Sequence, residues 1–127
     1  MEEDFRAILL SAAAVSNIVG NRISWGSIPQ GQEYPSIAMH VIDEISQSTM
    51  TGPDGLFQGR VQVDCYALTY AQAKILSRAV ISVLDGFKGG IFSGIFLDAA
   101  RDSRESGTNE AERPFRVSLD FATNRRS

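Results

Sequence analysis

The sequence predicts an α+β domain: a single mostly antiparallel sheet of four to five strands, two main helices packed on one face, and a long protruding β-hairpin. Three observations predict it. Arg60 to Ala67 alternate polar and apolar residues, the period of a half-buried strand. Thr69 to Leu84 join a helix-start signal to an apolar stripe at helical spacing. Phe115 to Phe121 alternate once more near the end of the chain. The 127 residues match the usual size of one domain. A chain of that length buries about two thirds of its unfolded surface and sustains a core without staples.

The elements follow in order. Glu2, Glu3 and Asp4 suit the positive end of a helix dipole, and Phe5, Ile8, Leu9 and Ala12 recur at helical spacing behind them. A second short helical turn through Val15, Ile18 and Val19 stops at Gly20. Ile23 to Trp25 are a candidate short strand, and the two prolines and two glycines of residues 26–35 predict a loop. Ser36 to Ser46 read as a strand with Ile37, Met39 and Val41 on one face. Gly52-Pro53-Asp54-Gly55 is a turn signal, since proline presets the second turn position and glycine tolerates the last. The return strand turns Val61, Val63, Cys65 and Ala67 inward and Arg60, Gln62, Asp64 and Tyr66 outward, completing a long hairpin. Thr69 with Gln72 forms a capping box; Ile75, Leu76, Ala79, Val80, Val83 and Leu84 form the stripe, and Gly86 ends it. The glycine-rich GFKGG reads as a turn. Strands are predicted from Phe92 to Ser103 and from Arg113 to Thr123, joined by a polar, mobile linker, ESGTNEA, with a frayed tail over Asn124 to Ser127.

Apolar residues make up 43% and charged residues 21% of the chain, ordinary for a soluble globular domain. A formal charge of −3 removes the broad attraction on which non-specific nucleic-acid binding depends. The lone cysteine permits no internal disulfide and fits a reducing compartment. The acidic start MEEDF is unlike a basic targeting segment, and Ala7 to Val15 fall far short of the roughly 20 residues of a membrane span. A soluble protein made in the cytoplasm is expected.

Candidate chemistry is sparse. Cys65 shares a strand face with Val61, Val63 and Ala67, which predicts a buried thiol behaving as a small hydrophobe rather than a nucleophile. His40, the only histidine, alternates with Met39 and Val41 and so points away from them, which gives a Cys–His dyad no support. Asp64, Asp98, Asp102 and Asp120 fall on predicted strands, where a pair would bind magnesium as in a metal-dependent nuclease; charges at alternate positions of a solvated sheet face are the commoner reading. GFKGG and GPDG lack the phosphate-loop pattern. No catalytic residue, metal or cofactor is expected. The hairpin tip carries Met50, Leu56 and Phe57, which are costly on a monomer and make sense when another subunit covers them. Arg101, Arg104 and Arg113, interleaved with glutamates, predict a subunit-facing or solvated surface.

Four pieces in order, IVGNRI (18–23), IPQGQEYPSI (28–37), GRVQVDCYALTYAQAKILSRAVISVLDGFKG (59–89) and FRVSLDF (115–121), resemble the tail-completion, or tail-terminator, proteins of long-tailed bacteriophages and gene transfer agents. The resemblance covers most of the chain, and its third piece is the most specific. It implies one tail-completion domain over residues 1–127 and a non-enzymatic virion component at the head-tail junction, assembled in the host cytoplasm. Such proteins form a ring, commonly hexameric, on the head-proximal end of the tail tube. The implied partners are copies of itself, the major tail tube protein and head-side neck or connector proteins, with DNA passing through the lumen without specific binding and no membrane involved. On this reading Ile45, Met50, Leu56, Phe57, Arg101, Arg104 and Arg113 are the candidate contacts with neighbour and tube. The alternative within structural proteins is a head-side connector or stopper; from other classes, a metal-dependent nuclease or a small nucleic-acid-binding module.

Overall fold

Residues 2–26, 34–46, 56–104 and 114–126 are described by the computed structural model. Among them the chain runs α1 (Glu2–Ser11), α2 (Ala13–Val19), β1 (Ile23–Trp25), β2 (Ser36–Ser46), β3 (Leu56–Ala67), α3 (Tyr70–Leu84), β4 (Phe87–Gly89), β5 (Phe92–Arg104) and β6 (Phe115–Arg126). The sheet order is β1-β2-β3-β6-β5-β4. Every neighbour is antiparallel except β1, which runs parallel to β2. The expected α+β class therefore holds, with six strands rather than four or five and with α2 as a third helix. The additional strand is β4: the FKG of the predicted turn pairs Phe87 with Ile95 and Gly89 with Phe92.

The core lies between the helices and one sheet face. Phe5 and Leu9 of α1, one turn apart, are fully buried, as are Val15 and Val19 of α2. The Phe5 ring meets Trp25 at 5.9 Å and Phe92 at 6.0 Å between centroids, both edge-on. Arg6 Nε donates to the Ile23 carbonyl at 2.7 Å, which fixes α1 to β1. Gly20, at φ 59°, closes α2 by donating its N–H to the Ser16 carbonyl at 2.8 Å, a left-handed position that glycine takes without a Cβ penalty. Thr69 caps α3 as its spacing predicts, its Oγ1 accepting from the Gln72 N–H at 3.2 Å. The buried stripe of α3 is Ala73, Leu76, Ser77, Val80 and Leu84. Ile75, expected within it, is 56% exposed, because it lies about 100° around the helix from Leu76.

β3 and β6 form the centre of the sheet. Val61, Val63, Cys65 and Ala67 are fully buried against the helices, joined from β6 by Val117, Leu119 and Phe121. Full burial of each large apolar side chain stabilises the fold by about 1.5–3 kcal/mol before conformational entropy is counted.

Four further expectations change. Val41, predicted to share the inner face, is 38% exposed, and a bulge between Val41 and Asp43 displaces Ile42 from the ladder. The bulge also explains Gly59. A Cβ there would sit 2.9 Å from the Asp43 carbonyl and 3.2 Å from Thr123 Oγ1, so only glycine admits the approach. Asp64, predicted outward into solvent, is buried at 2%. The predicted frayed tail is ordered strand through Arg126. The hairpin is not a bare two-stranded arm where it is described, since β6 flanks β3 as far as Leu56, opposite Arg126. The 52–55 turn, the linker at 105–111 and most of the 26–35 loop lie outside the described residues.

Candidate assembly surface

The two faces of β3 differ in chemistry. On the covered face the Cys65 thiol is fully buried, and burial, reinforced by the neighbouring Asp64 carboxylate, pushes its pKa well above the usual thiol range. A thiol held neutral is a poor nucleophile. His40 pairs across the ladder with Gln62, while Cys65 pairs with Ile37, so the two side chains occupy opposite faces.

The uncovered face carries a polar network. Asp64 accepts from Gln62 Nε2 at 2.9 Å and lies 3.5 Å from His40 Nε2. Arg101 of β5 donates to Asp120 of β6 at 2.6 Å and 3.4 Å. The hydrogen bond to Asp120 and its charge, with a smaller contribution from Asp64, hold the Arg101 guanidinium above its ordinary pKa. Arg60 pairs with Asp98 at 2.6 Å. Asp102 instead faces the helix side, bonded at 2.8 Å to both Tyr70 Oη and Lys74 Nζ of α3, and these contacts lower its pKa. The four aspartates thus divide between two faces, each beside a cation or amide donor. Among the described residues no group of three or more His, Cys, Asp or Glu is arranged to hold a metal ion. No described helix is long and apolar enough to cross a membrane.

Of the predicted contact residues, Phe57 and Arg101 have described side chains, and these two lie on opposite faces of the sheet. Met50 and Arg113 lie outside the described residues. The backbone of Ile45 pairs with Gln58, that of Leu56 with Arg126 and that of Arg104 with Phe115. Phe57 is half-buried beneath the Arg125 guanidinium, 4.2 Å from its ring, and Arg125 in turn donates to Glu44, through Nε at 3.1 Å and through Nη2. Arg101 lies on the opposite face, level with Ser118 and Asp64.

Sequence reasoning missed the surface along the sheet margins. β1 covers only Ile37 to Met39 of β2, and β4 covers only the start of β5. Val41 and Ile42 stand exposed on the β2 margin. A groove of about 450 Å³ runs beside β4, lined mainly by Ala7, Ile8, Val83, Phe87, Ile91 and Phe92. The only signal for these features was the apolar dipeptide at 41–42, whose exposure follows from a bulge that alternation does not encode.

The family model described as "Tail completion protein gp17" matches residues 3–124. No curated protein sequence matches the chain. Among solved structures, a chain from "Virion of native gene transfer agent (GTA) particle" aligns with a TM-score of 0.66 and 18% identity, covering 95% of this chain and 90% of that one. At that identity the likeness speaks to the fold alone.

Proposed function

This chain belongs to the tail completion protein gp17 family, a family of structural tail proteins, and we propose that it caps the head-proximal end of the tail tube as a ring. The ring ends tube polymerisation and presents the surface to which the head joins. The observation that carries this reading is the family match along residues 3–124. The chemistry agrees with it. The buried thiol is no nucleophile, the aspartates are held by Arg60, Lys74, Gln62 and Arg101, and apolar side chains are exposed along the sheet margin. A head-to-tail interface whose rotation closes gives a ring, and the formal charge of −3 suits a passage along which DNA slides without adhering.

Electron microscopy of the protein mixed with tail tubes tests the proposal. One added disc at a single tube end is expected, with tubes that no longer elongate. Binding to isolated heads with bare tube ends would overturn it in favour of a head-side connector. The double change Leu56→Ser, Phe57→Ser is expected to abolish discs and ring sedimentation; unaltered assembly would reject the hairpin as a contact.

A further inference from the structure

The sheet leaves two strand edges uncovered among the described residues, and they are complementary. On one side β1 stops at the level of Met39, leaving His40–Ser46 of β2 without an outer neighbour. On the other, β4 pairs only with Phe92 and Ile95, and the Leu97 N–H donates to Asp85 Oδ1 at 2.9 Å, leaving Asp98–Arg104 of β5. Each segment is seven residues long. The pairings β2–β3, β3–β6 and β6–β5 are all antiparallel, so β2 and β5 run in opposite directions. Copies placed side by side in one orientation therefore present each β2 edge to an antiparallel β5 edge.

We propose that His40–Ser46 of one copy pairs antiparallel with Asp98–Arg104 of the next, making the sheets of the ring continuous. Overlap of the two segments sets Asp43 opposite Arg101 and Glu44 opposite Ala100. Over Asp43–Ile45 this register respects both faces, and beyond them the extra residue Ile42 stands out of the new ladder as it does from the β3 ladder, which sets Val41 opposite Asp102 on the covered face. Asp43 is level with Arg60, and Arg101 with Ser118, on the uncovered face; Glu44 contacts Arg125, and Ala100 is level with Leu119, on the covered face. A slip of one residue would set side chains of opposite faces against each other. The register also joins unlike charges, an exposed Asp43 and a guanidinium still 54% exposed beside Asp120, and cross-strand pairs of opposite charge stabilise a ladder.

The stagger suits a closed ring. Asp43 lies level with Arg60 on β3, whereas Arg101 lies level with Asp64, four residues further along the strand. Successive copies are thereby displaced by about 13 Å along the strands while the four long strands span about 19 Å across. The resulting tilt of about 35° falls where strands of closed barrels lie, roughly 35–45° from the axis. The shortness of β1 and β4 follows: each extends its edge only where the next copy does not reach.

This inference rests on the ring reading, and the test separates the two. The doubly substituted Glu44→Cys, Ala100→Cys protein is oxidised on tail tubes and in solution, beside each single variant and the slipped pair Asp43→Cys, Ala100→Cys. Asp43→Cys with Arg101→Cys is a second in-register pair on the other face. Directly opposite residues on paired strands meet disulfide geometry, and the buried native thiol stays unreactive. Both in-register pairs are expected to yield a covalent ladder from dimer to closed ring, with none from the singles or the slipped pair. A dimer from Asp43→Cys or Glu44→Cys alone would show β2 pairing with itself and overturn the proposal. Terminal discs without cross-linking would overturn the edge pairing and leave the ring standing. A ladder without discs would keep the edge pairing and overturn tube capping.

Discussion

Along β3, alternate residues occupy two environments that are equally hidden and chemically opposed. Val61, Val63, Cys65 and Ala67 meet the helices and are fully buried. Asp64, between Val63 and Cys65, is buried nearly as deeply at 2%, yet none of the described helices lies over it. Its cover is the polar lattice of Gln62, His40 and the neighbouring Arg101–Asp120 pair. Burial alone therefore does not distinguish a folding face from a contact face. The first is closed by apolar area removed from water. The second is closed by hydrogen bonds that turn costly when a partner is lost. Such a lattice closes part of the uncovered face by hydrogen bonds, while Val41 and Ile42 meet solvent at the β2 margin.

The comparison is broken most strongly from its apolar side. Phe121→Ala, at a fully buried position, is expected to cost about 3–5 kcal/mol in chemical denaturation, the range for emptying an aromatic core site. A loss below about 1 kcal/mol, the scale of an exposed substitution, would mean that the helix-covered face does not carry the fold. Asp64→Ala addresses the other side. It removes the acceptor for Gln62 and the partner of His40, with an expected cost of about 1–3 kcal/mol, the penalty for breaking a buried hydrogen-bonded polar contact. An unchanged denaturation midpoint would show that solvent, rather than the lattice, closes this face.

Cys65 sharpens the contrast through pH. Its pKa in the folded protein is raised above the ordinary value of 9.0 by burial first and by Asp64 second. The stability this contributes is fully present below 9.0 and is lost as the pH rises above it, because only the unfolded chain gains by ionising there. Between pH 9 and pH 10 the stability is expected to fall by about 1 kcal/mol, and Cys65→Ala is expected to remove that part of the slope. An identical slope in both proteins would contradict the burial of the thiol.

The covered face was legible in the sequence because burial against helices enforces a strict period of two, visible in the valines of β3 and the Phe-Val-Leu-Phe of β6. The cap of α3 was legible for a similar reason, since Thr69 meets a local demand of the helix end. Legibility failed wherever long-range pairing decided the outcome. The Val41–Asp43 bulge interrupts a run whose alternation reads as continuous. β4 exists because Ile95 and Phe92 offer it a ladder, although Phe87-Lys88-Gly89 has little strand character alone. Asn124 to Arg126 are strand because β3 pairs with all three and β5 pairs with Asn124 and Arg125 from the other side. Phe57 and Arg101, chosen as contacts by their chemistry, also touch Arg125 and Asp120 within the chain, and the open edges are a property of topology rather than of composition.

Amide hydrogen exchange on the protein free and bound to tail tubes tests most directly the claim that one face folds the chain while its edges assemble it. The outward-facing amides of His40–Ser46 and Asp98–Arg104, those not bonded to β3 or β6, are expected to exchange quickly in the free protein and to become protected on tubes, while the amides of Val61–Ala67 and Val117–Phe121 stay slow in both. Protection that instead builds over the groove beside α1 and β4, with both strand edges unchanged, would contradict the account.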